Sequence, residues 1–390
     1  MSKLLSLLRK NLGVLFLIMC SAAICGYALG TQSTESSIAT FKKEMVDAPV
    51  DFQYQKTLYR DLLESVGAER AQEVFQSVMP KDVRSHALGH EVGYFLYTTE
   101  GLNGIYKCKN YFNGSCFHGF LERFIADHGI GEVSTIIDIC KQGRTLYEAR
   151  ECAHGAGHGF VLIAGYTHLS DAAAQCTQSF KGEPERVISD CLDGVFMENN
   201  FGGFNRPPSD RWYKADDPMY PCDDSRIEAV PYAHDSCWFM QSQGLLNKYM
   251  YPQFEGTIEK AALYCADDTN GSDKVMCLDG LSRSIQGIAG THLDEINHLC
   301  LAVYPADTER CLSIVAESAY AFGDHASALR LCDSVSTKKS CNESLFERIT
   351  TTSYYTKQER LKACSEFSDA STRSQCATWV EKEALNAATQ

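Results

Sequence analysis

Short stretches with apolar residues at three- and four-residue intervals, each closing on a cysteine, recur along the chain. They are STIIDIC to Cys140, DAAAQC to Cys176, KAALYC to Cys265, EINHLC to Cys300, ASALRLC to Cys332 and RLKAC to Cys364. A second set opens on a cysteine and continues with the same spacing: CFHGFLERF, CLDGVFMEN, CLSIVAESA, CNESLFERI and CATWVEKEA. That spacing gives each helix one apolar face to bury against a neighbour. Successive opening cysteines lie 30 to 46 residues apart, the period of a helical-hairpin repeat. The pattern predicts an all-α fold, an α-solenoid of helical hairpins over residues 51–390.

Ahead of the repeats the pattern changes. Lys3, Arg9 and Lys10 precede an unbroken apolar run from Leu12 to Leu29, intermediate in length between a signal-peptide core and a membrane span. Residues 1–30 read as a signal-anchor or a cleaved signal peptide, and residues 31–50 as a polar linker. The expected location is therefore a membrane-anchored, extracytoplasmic domain, periplasmic or extracellular, secreted if the segment is cleaved. The membrane is the first expected partner.

Cysteine usage strengthens the repeat reading. Outside the apolar run the cysteines fall into consecutive pairs: Cys108/Cys116, Cys140/Cys152, Cys176/Cys191, Cys222/Cys237, Cys265/Cys277, Cys300/Cys311, Cys332/Cys341 and Cys364/Cys376. Each pair would join the end of one helix to the start of the next. Thiolate metal sites are the rival, but CxxC spacing and clustered quartets are absent. An even count with regular pairing points to disulfides formed in an oxidising compartment. The architecture resembles cysteine-rich, disulfide-stapled relatives of tetratricopeptide repeats. Residues 319–341, AYAFGDHASALRLCDSVSTKKSC, carry that resemblance, which implies stacked helix pairs and says nothing of activity.

Aligning the helices on their opening cysteines exposes a second pattern. Two residues after Cys116, Cys152 and Cys191 stand His118, His154 and Asp193, and six after the first two stand Glu122 and His158. RSHALGHEVG fits the same frame with Arg84 in place of the cysteine and supplies His86 and His90. The fourth repeat has Met197 at the second position, with Glu198 beside it. Residues four apart share a helix face, and equivalent positions of stacked repeats share a wall. His86, His90, His118, Glu122, His154, His158, Asp193 and Glu198 are thus candidate ligands for one or two transition-metal ions, Zn, Fe, Cu or Mn. Glu91 is the candidate general base or outer partner of a ligand.

Gly89, Gly119, Gly155, Gly157 and Gly194 sit beside these residues, where they would permit close helix approach and leave room for an ion or substrate. Residues 80–240 form the expected metal-site half and residues 241–390 a mainly structural half. Trp212, Tyr213 and Tyr220, in the irregular stretch 199–225, either cover the mouth of a groove or anchor the loop.

The net charge of −14 excludes nucleic acid as a natural partner. HExxH, a phosphate-binding glycine loop and a dinucleotide fingerprint are all absent. The functions that remain are a metal-dependent hydrolase or oxidase, a metal-binding or delivery protein without turnover, and an interaction scaffold with a protein or peptide in its groove. Convergence of His86, His90, His118, His154 and His158 separates the first two from the third.

Overall fold

A computed structural model of the chain describes residues 34–45, 51–133 except 110, 135, 138, 146–201, and 211–389 except 249, 268–270, 291, 337 and 352–356. Residues up to 79 form one compact unit and Pro80–Gln390 a second. In the first, residues 34–45 (α1) are helical where a polar linker is expected from the sequence. Ile38, Phe41 and Met45 recur at helical spacing and are buried, and Phe41 meets Tyr59 and Phe75. Tyr59 lies on α2 (Phe52–Val66), which Asp51 caps by accepting from the amides of Gln53 and Tyr54, and Phe75 lies on α3 (Ala68–Val78).

The second unit is an all-α solenoid of disulfide-linked helix pairs. An inner row runs through α4 (Val83–Glu100), α5 (Ser115–His128), α6 (Leu146–Ala164), α8 (Glu185–Phe201), α9 (Ala233–Gly244), α11 (Gly271–Ala289), α13 (Thr308–Ala321), α15 (Lys338–Thr351) and α17 (Ala370–Thr389). Each helix of this row packs on the next. Behind them lie α7 (Leu169–Ser179), α10 (Ile258–Asp267), α12 (Leu293–Val303), α14 (His325–Ser334) and α16 (Lys357–Ser365). Disulfides Cys108–Cys116, Cys176–Cys191, Cys222–Cys237, Cys265–Cys277, Cys300–Cys311, Cys332–Cys341 and Cys364–Cys376 tie α5, α8, α9, α11, α13, α15 and α17 to the segment before each. Cys152 is also disulfide-bonded, while Cys140 lies outside the described residues.

The solenoid curls until its ends meet. Helix α15 touches α6, Arg186 pairs with Glu347 at 3.0 Å, and the Asn113 amide donates to the Ala321 carbonyl at 3.0 Å. The inner wall therefore surrounds enclosed space, and the C-terminal half supplies part of its lining.

Among the described residues no helix is long and apolar enough to cross a membrane. That corrects the expected membrane-spanning element of the fold and, with it, the anchor, the membrane partner and the membrane-anchored location. The reason is physical. The described helices of 18 residues or more (α4, α6, α11 and α17) carry ionisable or polar side chains along their length, and one face of α4, α6 and α11 lines the cavities inside the solenoid. The apolar run 12–29 itself lies outside the described residues.

The glycines beside the histidines let helix backbones touch. A Cβ on Gly119 would strike the His90 carbonyl, and one on Gly93 the Cys116 carbonyl, so α4 and α5 cross glycine to backbone in both directions. Gly157 and Gly194 do the same for α6 and α8, against Cys191 and His154. The space they save is taken by backbone, not left for an ion. Gly194→Ala must push α8 off α6 and is expected to cost about 1–3 kcal/mol, as overpacking does, read as a lowered midpoint in urea at unchanged slope.

Candidate metal centre

Crossing at glycine brings α4, α5 and α6 close enough for their register positions to meet. His86, His90, His118, His154 and His158 are all buried, His118 completely. The rings form a continuous chain, with centroids 4.9 Å apart for His86 and His118, 4.5 Å for His118 and His154, and 5.0 Å for His154 and His158. Three groups offer ligand atoms within 4.8 Å of one another: His86/His90/His118, His118/His154/His158 and Glu122/His158/Glu198.

The first group is set up proton by proton. His86 Nδ1–H donates to the Phe112 carbonyl at 2.6 Å, because a carbonyl can only accept. Burial first, then the neighbouring His90, pushes the His86 ring down to about 3, so it is neutral and its Nε2 is bare. His118 Nε2–H donates to Glu151 at 3.1 Å. Burial first, then His154, holds this ring well below the ordinary histidine range, which leaves Nδ1 bare. His90 Nδ1 donates to Glu122 Oε1 at 3.2 Å, and its Nε2 turns toward His86.

The bare nitrogens face one another. His86 Nε2 lies 3.2 Å from His118 Nδ1 and 3.3 Å from His90 Nε2. Lone pairs at such distances repel unless a cation sits among them. Metal–nitrogen bonds of about 2.0–2.1 Å in tetrahedral geometry give nitrogen–nitrogen edges of about 3.3–3.4 Å. A neutral imidazole whose outer N–H is held by a carboxylate or carbonyl is how ligand histidines are oriented.

The outer partners are themselves held. Phe112, Asn113 and Gly114 take successive positive φ angles of 49°, 52° and 75°, a turn strained at its first two residues that delivers the Phe112 carbonyl to His86. Glu122 also accepts a short hydrogen bond from the Tyr94 hydroxyl. Burial pushes the Glu122 carboxyl up, but His90 and His158 outweigh it and hold the group at about 2, ionised. Further along, His158 Nδ1 meets Glu198 Oε2 at 3.0 Å, Tyr166 donates to the other Glu198 oxygen, and the buried His158 Nε2 has no hydrogen-bond partner. His154 Nε2 reaches only the Met197 sulfur, at 3.4 Å.

Asp193 belongs to none of the three groups. It lines a cavity of about 210 Å³ with His154, Arg150, Arg283 and Glu317, where burial and Asp190 push its carboxyl up to about 8. The fourth repeat meets the histidines through Met197 and Glu198 instead. Glu91 is buried on α4 but is likewise in none of the groups. Trp212 and its neighbours anchor their loop. The Trp212 amide donates to Asn199 Oδ1 at 3.1 Å, and the rings of Trp212 and Tyr220 meet at 5.8 Å. His128 and His234 pair instead with Tyr97 and Asp273.

Glu151 was not legible from the cysteine frame, which counts only positions after the cysteine. It precedes Cys152, yet 151, 154 and 158 fall on one helical stripe, and that spacing could have found it. No family model matches the chain, and no curated protein or solved structure matches it with significance.

Proposed function

We propose that the chain is a transition-metal-binding helical-repeat protein whose ion is held by His86 Nε2, His90 Nε2 and His118 Nδ1. The observation that carries this reading is the convergence of three imidazole nitrogens, each on a ring whose other nitrogen donates to the Phe112 carbonyl, Glu122 or Glu151. Three neutral imidazoles suit Zn, Fe, Cu or Mn and leave a coordination position free for a further ligand. An ion held this way would supply a Lewis acid or a redox centre, so the chemistry proposed is metal-dependent hydrolysis or oxidation. Glu122, His158 and Glu198, with His154 beside them, form the proposed position of a second ion.

Glu91 and Asp193 are left out of the ligand set because they join none of the convergent groups. A scaffold without metal is disfavoured by the same geometry, since it gives no reason to bury five histidines with the ring nitrogens of three of them converging. The tetratricopeptide-type relation belongs to this proposal too. Its support is the succession in residues 319–341 of the end of α13, Gly323 with φ 90°, the Asp324 cap and α14 stapled by Cys332–Cys341.

The test is metal content of the oxidised full chain by elemental mass spectrometry after exposure to each ion and gel filtration. At least one ion per chain is expected, and one fewer after His86→Ala/His90→Ala with the helical circular dichroism intact. An unmetallated parent under replete, chelator-free conditions would overturn the reading.

A further inference from the structure

Six residues past Cys277, in the register position that holds Glu122 and His158 in earlier repeats, stands Arg283. Four arginines line the cavity of about 210 Å³. Arg150 is held by Asp190, Arg186 by Glu347 and Arg348 by Glu317. Arg283 has no carboxylate within ion-pairing distance among the described residues. Its guanidinium stands 6.0 Å from the Phe239 ring centroid, in a half-buried position. Asp193 and Glu317 line the same cavity, but Glu317 is taken by Arg348 at 2.8 Å.

Arg283 also faces a second cavity, of about 510 Å³, which shares Asn113 and Met197 with the first. Phe201, Leu246, Ile288 and Phe322 give it an apolar wall, and His86 reaches it from α4. Ile288 is 48 % exposed and marks its mouth. The volume is that of a small-molecule site, too small for a folded partner or a long peptide. Arg84, the other cation of this cavity, is already engaged by a neighbour.

We propose that this cavity binds an amphipathic monocarboxylate, its carboxylate on Arg283 and its apolar chain among Phe201, Leu246, Ile288 and Phe322. A guanidinium withdrawn from water without a counter-ion is costly, and a carboxylate matches its paired N–H donors. The apolar wall supplies the affinity for the chain. Asn113 adds a second polar contact. It is buried, lines both cavities and has a side-chain oxygen without a partner, so its amide can turn its NH₂ to the same head group. The Glu317 carboxylate across the smaller cavity favours a single negative charge over a dianion. The proposal goes beyond the metal reading and does not depend on it.

The experiment is isothermal titration of the metal-free full chain with octanoate, octanol and octyl phosphate. Octanoate is expected to bind at one site at least tenfold more tightly than either of the others. Arg283→Met, which keeps the stem, is expected to lower octanoate affinity at least tenfold and leave octanol unchanged, while Arg283→Lys keeps part of the preference. Octanoate binding absent, equal to octanol, or unchanged in Arg283→Met would overturn the assignment. Should Arg283→Met not fold, the comparison of the three ligands on the parent decides by itself. Because no metal is present, failure here leaves the histidine site standing, and failure of metal uptake leaves this site standing.

Discussion

His118→Ala is expected to abolish metal uptake at the three-histidine site, the largest single loss there. His118 is completely buried and is the member common to the first two convergent groups, so no neighbouring ring can take its place. Its removal leaves His86 and His90, a two-nitrogen site with a gap where the third edge closed. The same variant leaves the Glu151 carboxylate buried without its donor. Glu151→Gln probes that contact alone. It keeps the shape and an acceptor oxygen but removes the charge that orients and polarises the His118 ring, and losses of about 10–100-fold in metal affinity are typical of such outer partners. Competition titration against a chromophoric chelator distinguishes the two, with the first-site affinity lost in His118→Ala and finite but weakened in Glu151→Gln. His158→Ala is expected to spare the first ion and remove a second. Retention of full affinity by His118→Ala would place the ion elsewhere and refute the assignment of the three nitrogens.

The histidine register was legible because two periodicities coincide in it. Cysteines mark the helix starts, and positions two and six beyond each start lie one turn apart on the same face, so His86/His90, His118/Glu122 and His154/His158 align before any coordinates are known. The frame fails where distance along the superhelix matters more than register. Asp193 keeps the position but has turned away to face the arginines of the smaller cavity. The Phe112 carbonyl, which fixes the His86 proton, has no sequence signature, since every residue carries a carbonyl and only the strained turn through Phe112 and Asn113 aims this one. Arg283 reads in sequence as the place where the histidine pattern ends. Its meaning depends on closure of the solenoid, where α15 returns to α6 through contacts that no local period encodes. In the expected structural half, Asp279 does what a structural residue does, accepting two bonds from Arg310 at 2.7 and 2.6 Å.

The metal-free protein is expected to lose stability steeply between pH 6.5 and about 4. His86 is pushed down to about 3 and His325 to about 4, both chiefly by burial, and His118 and His154 lie well below 6.5 for the same leading cause. A depressed folded pKa gives stability that is complete above the unfolded value and is lost as pH falls through the folded one, because the unfolded chain takes up the protons first. Asp193 acts in the opposite sense. Its carboxyl, raised to about 8 from 3.8, keeps its proton in the folded state, so acidification relieves a cost there. Four histidines against one carboxyl leave three protons net bound by the unfolded chain, and at about 1.4 kcal/mol per proton per pH unit the slope is roughly 4 kcal/mol per unit. A domain reserve of about 5–15 kcal/mol is consumed within a few units, which places the acid transition between roughly pH 3 and 5. Below 4.5 the loss steepens as Glu122, held at about 2, begins to favour the unfolded state. Urea midpoints measured across pH 4 to 8 on chelator-treated protein check the slope. His325→Phe, which lies outside the proposed ligand set, should flatten it by about one proton, roughly 1.4 kcal/mol per unit. A flat profile down to pH 4 would show that the buried rings are not held neutral, and with that the case for bare nitrogens facing one another would fail.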